Sequence, residues 1–277
     1  MPTVAERLDL APEAKLLILN CADLGFCHAS TVGVYDALRE GIGTSGSLIV
    51  PAPWARESAS RFRGEDVGVQ LTLNAEHDLY RWAPITHAPS LLDGDGGFPR
   101  TVTDVWDHAD IDEVRRECRA QVERAVLWGF DISHLDAHLD ALLLRPEFFD
   151  VYLELAVDFE LPLRLLGAED EPNVGFPVRQ LAADEGVLFA DRFASLPARG
   201  NRQAFLDLVA GLEPGITEVS LHPAIDTPEL RAITTDWQAR VADHVLLVAD
   251  RGLDRLLSEA GVTLIGYRPL RDAMRRG

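Results

Sequence analysis

His134, Asp136 and His138 sit in the stretch Ser133-His134-Leu135-Asp136-Ala137-His138-Leu139-Asp140, a dense group of proton-handling and metal-ligating side chains. A helix-like segment ends near Gly129 and another begins near Pro146, so the stretch between them reads as a strand and its exit loop. Alternate side chains of a strand share a face. His134, Asp136 and His138 therefore point one way, and Leu135, Ala137 and Leu139 the other. A lone histidine on a strand is ordinarily satisfied by a neighbouring strand. Two imidazoles and a carboxylate on one buried face need partners or a metal, and this spacing marks a candidate site.

Other strands end in residues of the same kind. The run Lys15-Leu-Leu-Ile-Leu-Asn-Cys leads into Ala22-Asp23-Leu24-Gly25. Val67-Gly-Val-Gln-Leu-Thr-Leu-Asn carries Gln70, Thr72 and Asn74 on its even face, and Thr217-Glu-Val-Ser-Leu-His-Pro ends at His222. If these strands are parallel, their C-terminal ends gather on one rim. One carboxylate with two or three imidazole or amide groups is a first shell for Zn²⁺, Mn²⁺ or a related ion. No GxSxG elbow surrounds Ser220, and Cys21 reads as a buried apolar cysteine.

The elements that must position these groups alternate along the chain. Strands are expected at 15–21, 44–50, 67–74, 132–138, 161–166, 187–189, 217–223 and 262–267. Helices are expected at 30–40, 51–62, 110–128, 146–159 and 201–211, with a further helical stretch over 234–261 interrupted near Gly252. Residues 75–108 form a long insertion, read as a functional loop or lid. Its Asp93-Gly-Asp-Gly-Gly run lacks the ligand spacing of a calcium loop and reads as a solvated turn. The pattern predicts one α/β domain of irregular barrel type over residues 1–277. An open doubly wound sheet is the alternative, but no nucleotide-binding glycine motif follows a strand.

The chain has 277 residues, 47% of them hydrophobic, and a formal net charge of −19. Mean hydropathy is near zero. A full core is expected. So acidic a chain repels phosphate backbones and anionic surfaces, so neither nucleic acid nor membrane is expected as a partner. No signal peptide or membrane span is read from the sequence, and three cysteines without a CxxC pair suit a cytoplasmic location.

The stretches Leu-Asn20-Cys-Ala-Asp23-Leu-Gly25, Gly68-Val-Gln70-Leu-Thr-Leu, Ser133-His134-Leu-Asp136-Ala-His138 and Glu218-Val-Ser-Leu-His222-Pro223-Ala together resemble the YdjC-like carbohydrate deacetylases, which include chitooligosaccharide deacetylases. The order and spacing agree over most of the chain. The resemblance implies an irregular (β/α) barrel of the glycoside hydrolase/deacetylase type. It also implies metal-dependent removal of an N-acetyl group from an amino sugar or related small amide. The cofactor implied is zinc, magnesium or manganese, and the assembly a homodimer.

The family opens with Asn-Ala-Asp-Asp-Phe-Gly. Its second aspartate, a metal ligand, matches Asp23, and its first, the catalytic base, matches Ala22. The ligand histidine of Gly-x-His-x-x-Leu matches Gln70. The second ligand histidine matches His138, with His134 and Asp136 beside it as a further ligand and a catalytic group. His222 matches the His-Pro histidine, a general acid or transition-state stabiliser. Asn74, His77 and Trp82 are the expected substrate contacts.

Two departures fall on the chemistry itself. Ala22 accepts no proton, and losing a general base commonly lowers a rate by about 10²–10⁴-fold. Gln70 offers only a neutral amide oxygen in place of imidazole, which weakens metal binding. Three readings follow: a deacetylase, a catalytically impaired carbohydrate-binding pseudoenzyme or engineered inactive variant on the same scaffold, and a metal-dependent lyase or isomerase using Asp136 or His77 as base.

Overall fold

Lys15–Leu24 (β1) is buried from Leu16 onward, and its unbroken apolar run fits a strand covered on both faces. Around it lie Ser45–Leu48 (β2), Val67–Leu71 (β3), Ile132–Ala137 (β4), Arg192–Ala194 (β5), Gly215–Leu221 (β6) and Val262–Leu264 (β7). The structure is a computed structural model and describes residues 4–8, 10–196 and 200–276. The sheet runs β4-β3-β2-β1-β6-β5, with β7 also paired to β1. Every pairing is parallel. The sheet curls into a half-barrel with flanking helices.

The ring stays open between β4 and β5. The strand expected at 161–166 forms only one isolated bridge, Leu135 to Leu163. Pro162 has no N–H to give to a ladder. Single hydrogen bonds replace the ladder: Leu135 N to Pro162 O, Arg164 N to Leu135 O, and Leu163 N to Leu188 O. Residues 187–189 likewise form no strand, and β5 follows them at Arg192–Ala194. The helical stretch expected over 234–261 divides into Trp237–His244, a π turn at Val245–Ala249 and Leu253–Glu259, preceded by Pro228–Ile233. The 75–108 insertion holds a 3₁₀ turn, Pro89–Leu91, and the helix Val102–His108, capped by Thr101.

The helix Ile111–Leu127 pins that insertion to the sheet through one polar stripe. Glu113 accepts from Ser90 N and Oγ. One turn on, Glu117 accepts from Ile85 N, Thr86 N and the Thr86 hydroxyl. Another turn on, the Gln121 amide accepts from Thr72 N and donates to Thr72 O, ending β3 where no strand continues it. These residues lie four apart and so share a helix face. Among the described residues no helix is long and apolar enough to cross a membrane.

Under the strand ends lies a buried polar layer. His134 Nε2 and the Ser47 hydroxyl lie 3.2 Å apart, and Ser133 Oγ is 2.9 Å from His134 Nδ1. Its ring stacks on Tyr267 at 3.9 Å between centroids. Burial pushes the His134 pKa down to about 3, so the ring is neutral. Gly68 leaves room for it: a Cβ there would meet His134 Nδ1 at 2.5 Å and its carbonyl oxygen at 2.5 Å. Tyr267 donates its hydroxyl to Glu218. Burial pushes the Glu218 carboxyl up to about 8, although that hydrogen bond opposes it.

Gly68→Ala is expected to destabilise the fold by about 1–3 kcal/mol, the usual magnitude for overpacking a core. Urea unfolding of the two proteins measures it, and an unchanged midpoint would refute the close approach to His134. Glu218 gives a pH signature. Folding favours its protonated form, so its contribution is intact below the unfolded value of 4.5 and is lost as pH rises through about 8. Glu218→Gln keeps a neutral side chain. The stability difference between the variant and the parent is therefore expected to grow in the variant's favour across that range. A pH-independent difference sinks the assignment.

Candidate active site at the strand ends

The parallel sheet brings the C-terminal ends of β1, β3, β4, β5 and β6 to one rim. A cavity of about 300 Å³ opens there. Ala22, Asp23, Gln70, Asp136, His138 and His222 all line it. So do Glu76, Asp140, Arg164 and Arg240, which the motifs alone did not assign to the site.

Asp23 reaches the cavity through an unusual backbone. The β1–β2 register shifts between Cys21 and Leu24, and Asp23 has φ 66°. Aspartate tolerates this left-handed region better than most residues, and a bulge re-aims the side chain it carries. Its Oδ2 accepts from Arg240 Nη1 at 2.6 Å, and Gln70 Oε1 accepts from its backbone N at 3.1 Å. Burial raises the Asp23 pKa, but Arg240, then His222 and His138, outweigh it and hold the carboxyl well below the usual range. Arg240 is supplied by the helix Trp237–His244 and also binds Asp236 at 2.9 Å. The same helix supplies Asp243, whose Oδ2 accepts from His222 N at 3.0 Å.

His138 begins the turn that leaves β4. Two residues in the left-handed region, Leu139 at φ 49° and Asp140 at φ 58°, form that turn. The His138 ring is held at both nitrogens: Nε2 lies 3.0 Å from Glu76 Oε2 and Nδ1 lies 3.2 Å from Gln70 Nε2. Because Asp23 N occupies Gln70 Oε1, the amide presents its N–H side to the ring. Nδ1 then accepts and Nε2 donates to Glu76. Burial lowers the His138 pKa, but the Glu76 carboxylate, with Asp23 and Asp136, raises it above its ordinary value overall. Glu76 is shifted the opposite way: burial raises its pKa, and His138 brings it below the usual value.

Asp136 is committed elsewhere. Its Oδ1 accepts from Arg164 Nε at 2.8 Å and from Ala137 N at 2.7 Å. Burial raises its pKa, but Arg164 holds it below the ordinary value. Arg164 also binds Asp140 and the Ala137 carbonyl, which fixes the turn around His138.

The remaining expected residues lie off the cavity. His134 is in the polar layer beneath it, out of reach of a ligand held by Asp23. Asn74 is fully buried, and neither atom of its amide has a hydrogen-bond partner. Trp82 is 4% exposed and donates to Asn74 O, so its face is covered by protein rather than offered to a sugar. It packs edge-on against Phe26 and backs the His138 ring at 6.3 Å. His77 packs against Phe26 and lines a neighbouring groove with Glu76, Leu79 and Tyr80. Cys21 is fully buried, and burial pushes its thiol well up, away from nucleophilic use.

A divalent metal fits this donor set poorly. In its favour, Asp23 Oδ1 is buried without a hydrogen-bond partner. Against it, a guanidinium sits on the other Asp23 oxygen, and both nitrogens of His138 are engaged. Gln70 presents an N–H where a ligand lone pair would be needed. Among the described residues no group of three or more His, Cys, Asp or Glu side chains is placed to hold a metal ion. The residues present do not form a first shell for zinc, magnesium or manganese.

Known proteins are similar to this chain in sequence, and a solved structure is similar in fold. The family model described as YdjC-like protein matches residues 16–257. A protein named carbohydrate deacetylase from Thermus thermophilus is 39% identical over 250 residues, covering 87% of this chain and 89% of its own. Another of that name from Geobacillus stearothermophilus is 30% identical, covering 92% of this chain and 97% of its own. The crystal structure of a putative cellobiose-phosphate cleavage protein from Enterococcus faecalis superposes with a TM-score of 0.79. It is 25% identical and covers 93% of this chain and 99% of its own. A match that begins within β1 and runs past the helix carrying Arg240 takes in every strand end that builds the cavity, and on that ground the chain belongs to the YdjC-like family.

Proposed function

We propose that this chain is a carbohydrate deacetylase that hydrolyses the N-acetyl group of an amino sugar. The observation that carries the reading is the cavity itself. Acidic, basic and cationic groups from four separate elements converge on about 300 Å³, in a family whose relatives are named carbohydrate deacetylase. That volume is at the lower end of small-molecule sites, about 300–1,000 Å³. The adjoining groove along Glu76–Tyr80 and Ala232–Thr235 would extend it for a longer saccharide.

Hydrolysis adds water to the amide carbon, then breaks the C–N bond to give acetate and an amine. Negative charge develops on the carbonyl oxygen in the first step, and a fixed cation in a closed pocket opposes it. Arg240 is the cation held in place here, by Asp23 and Asp236. His138, oriented by Glu76, exchanges the proton once water replaces Gln70 or Glu76 on its ring, and His222 across the cavity serves the leaving amine.

A second reading, a protein that binds the sugar without cleaving it, is favoured by Ala22, which lines the cavity with no proton-accepting group. The lyase or isomerase reading loses support, because Asp136 is tied to Arg164 and His77 lies in the neighbouring groove.

Acetate release from N-acetylglucosamine and its short oligomers, with calorimetric binding of the same sugars, separates the two readings. Deacetylation is expected, and His138→Gln is expected to lower kcat by about 10²–10⁴-fold with little change in KM. Binding without acetate would establish the second reading. Neither binding nor acetate would defeat both.

A further inference from the structure

The cation of this site is part of the chain. We propose that the Arg240 guanidinium occupies the role of a divalent metal at Asp23, so that the protein is metal-free at rest and Gln70 and Arg240 together exclude the ion. The inference rests on the same cavity as the deacetylase reading. Its readout is metal binding, so the two can fail separately.

Three observations converge. First, Arg240 donates to Asp23 Oδ2 at 2.6 Å, and both side chains are buried, at 9% and 6% exposure. A dication would have to share one carboxylate with a like charge at that distance. Removing Asp23 from Arg240 would leave a buried guanidinium held by Asp236 alone, a costly arrangement. Second, Gln70 is locked by its contacts: its oxygen takes the Asp23 backbone N–H, so its N–H side must face His138. It repels a metal where an imidazole nitrogen would attract one. Third, Glu76 holds His138 Nε2, so neither ring nitrogen offers a lone pair without breaking a contact. Five residues form one continuous hydrogen-bonded chain, Glu76–His138–Gln70–Asp23–Arg240, with an internal partner at every link. Within that chain, the buried Asp23 Oδ1 has no hydrogen-bond partner. It is left to accept an N–H or O–H from a neutral ligand.

The two substitutions act on the same ion from different sides. Gln70→His supplies a ligand but keeps the guanidinium. Arg240→Gln removes the guanidinium but keeps the amide. Only the double variant frees the carboxylate and adds the imidazole.

Elemental analysis of the full chain purified without chelator, followed by calorimetric titration with zinc chloride, tests this. The wild type is expected to carry and bind far less than one equivalent. The double variant Q70H/R240Q is expected to bind near one equivalent, and more tightly than Q70H. Changes beyond the direct ligands shift metal affinity by about 10–100-fold, which sets the size of that gap. Adding D23N to the double variant should abolish the gain. Stoichiometric zinc on the wild type, lost in D23N, would overturn the proposal. So would Q70H binding as tightly as the folded double variant, or a folded double variant that binds nothing. If Arg240→Gln prevents folding, the wild-type titration and its D23N control still decide.

Discussion

The buried pair between Asp23 and Arg240 is the contact on which the rest of the site depends. It joins the end of the first strand to a helix near the other end of the chain, 217 residues apart. Buried charges are tolerated only with good geometry and further hydrogen bonds, and losing one partner of such a pair typically costs about 3–5 kcal/mol. The geometry is good here, and the further hydrogen bonds fall on Arg240 and the Asp23 backbone rather than on Asp23 Oδ1. Asp23 has Arg240 on its side chain and Gln70 on its backbone N–H, and Arg240 has a second carboxylate in Asp236. The pair therefore fixes where the helix Trp237–His244 lies over the barrel mouth. That helix in turn places Asp243 against the backbone of His222.

Around this pair the fold concentrates strain at the rim and satisfaction beneath it. Three of the four non-glycine residues with positive φ among those described are Asp23, Leu139 and Asp140, all lining the cavity. Such residues cost about 1–3 kcal/mol each and persist where surrounding contacts over-determine them. Arg164 supplies those contacts for the turn after β4, through Asp136, Asp140 and the Ala137 carbonyl. Below the rim, the layer of Ser47, Ser133, His134, Tyr267 and Glu218 is linked by hydrogen bonds and stacking. The same strand thus serves two purposes. His134 belongs to the satisfied floor, and His138, four residues on, to the reactive rim.

That division explains where reading the residue pattern succeeded and where it failed. Alternation along β4 assigned His134, Asp136 and His138 to one face. It had no information on depth along the barrel axis, which separates a floor residue from a rim residue. Trp82 is expected at a sugar because an indole ring can stack on one, and Asn74 because it ends the polar face of the 67–74 strand. Both are buried, with Trp82 donating to Asn74 O and packing edge-on against Phe26, contacts that show only when the chain is folded. The strand expected at 161–166 has the right apolar composition, but Pro162 has no N–H to extend a ladder, and its pairing with β4 stops at the one bridge to Leu135.

By itself the sequence determined the parallel α/β order, the strand ends that carry Asp23, Gln70, His138 and His222, and the two departures at Ala22 and Gln70. The order and the strand ends follow from local rules, since apolar runs, capping residues and alternation need only near neighbours in the chain, whereas the two departures show only against the motifs of the family the sequence resembles. Only the tertiary structure decided what fills the centre of the site. Arg240 sits within a short helix of mixed apolar and polar residues, where an arginine ordinarily faces solvent. Glu76 stands in a loop, six residues before Trp82. Neither carries a local signal, because a charge partner is chosen by distance in space. The half-barrel brings these two residues to opposite sides of Gln70 and His138, and that convergence sets the charge and protonation of the site.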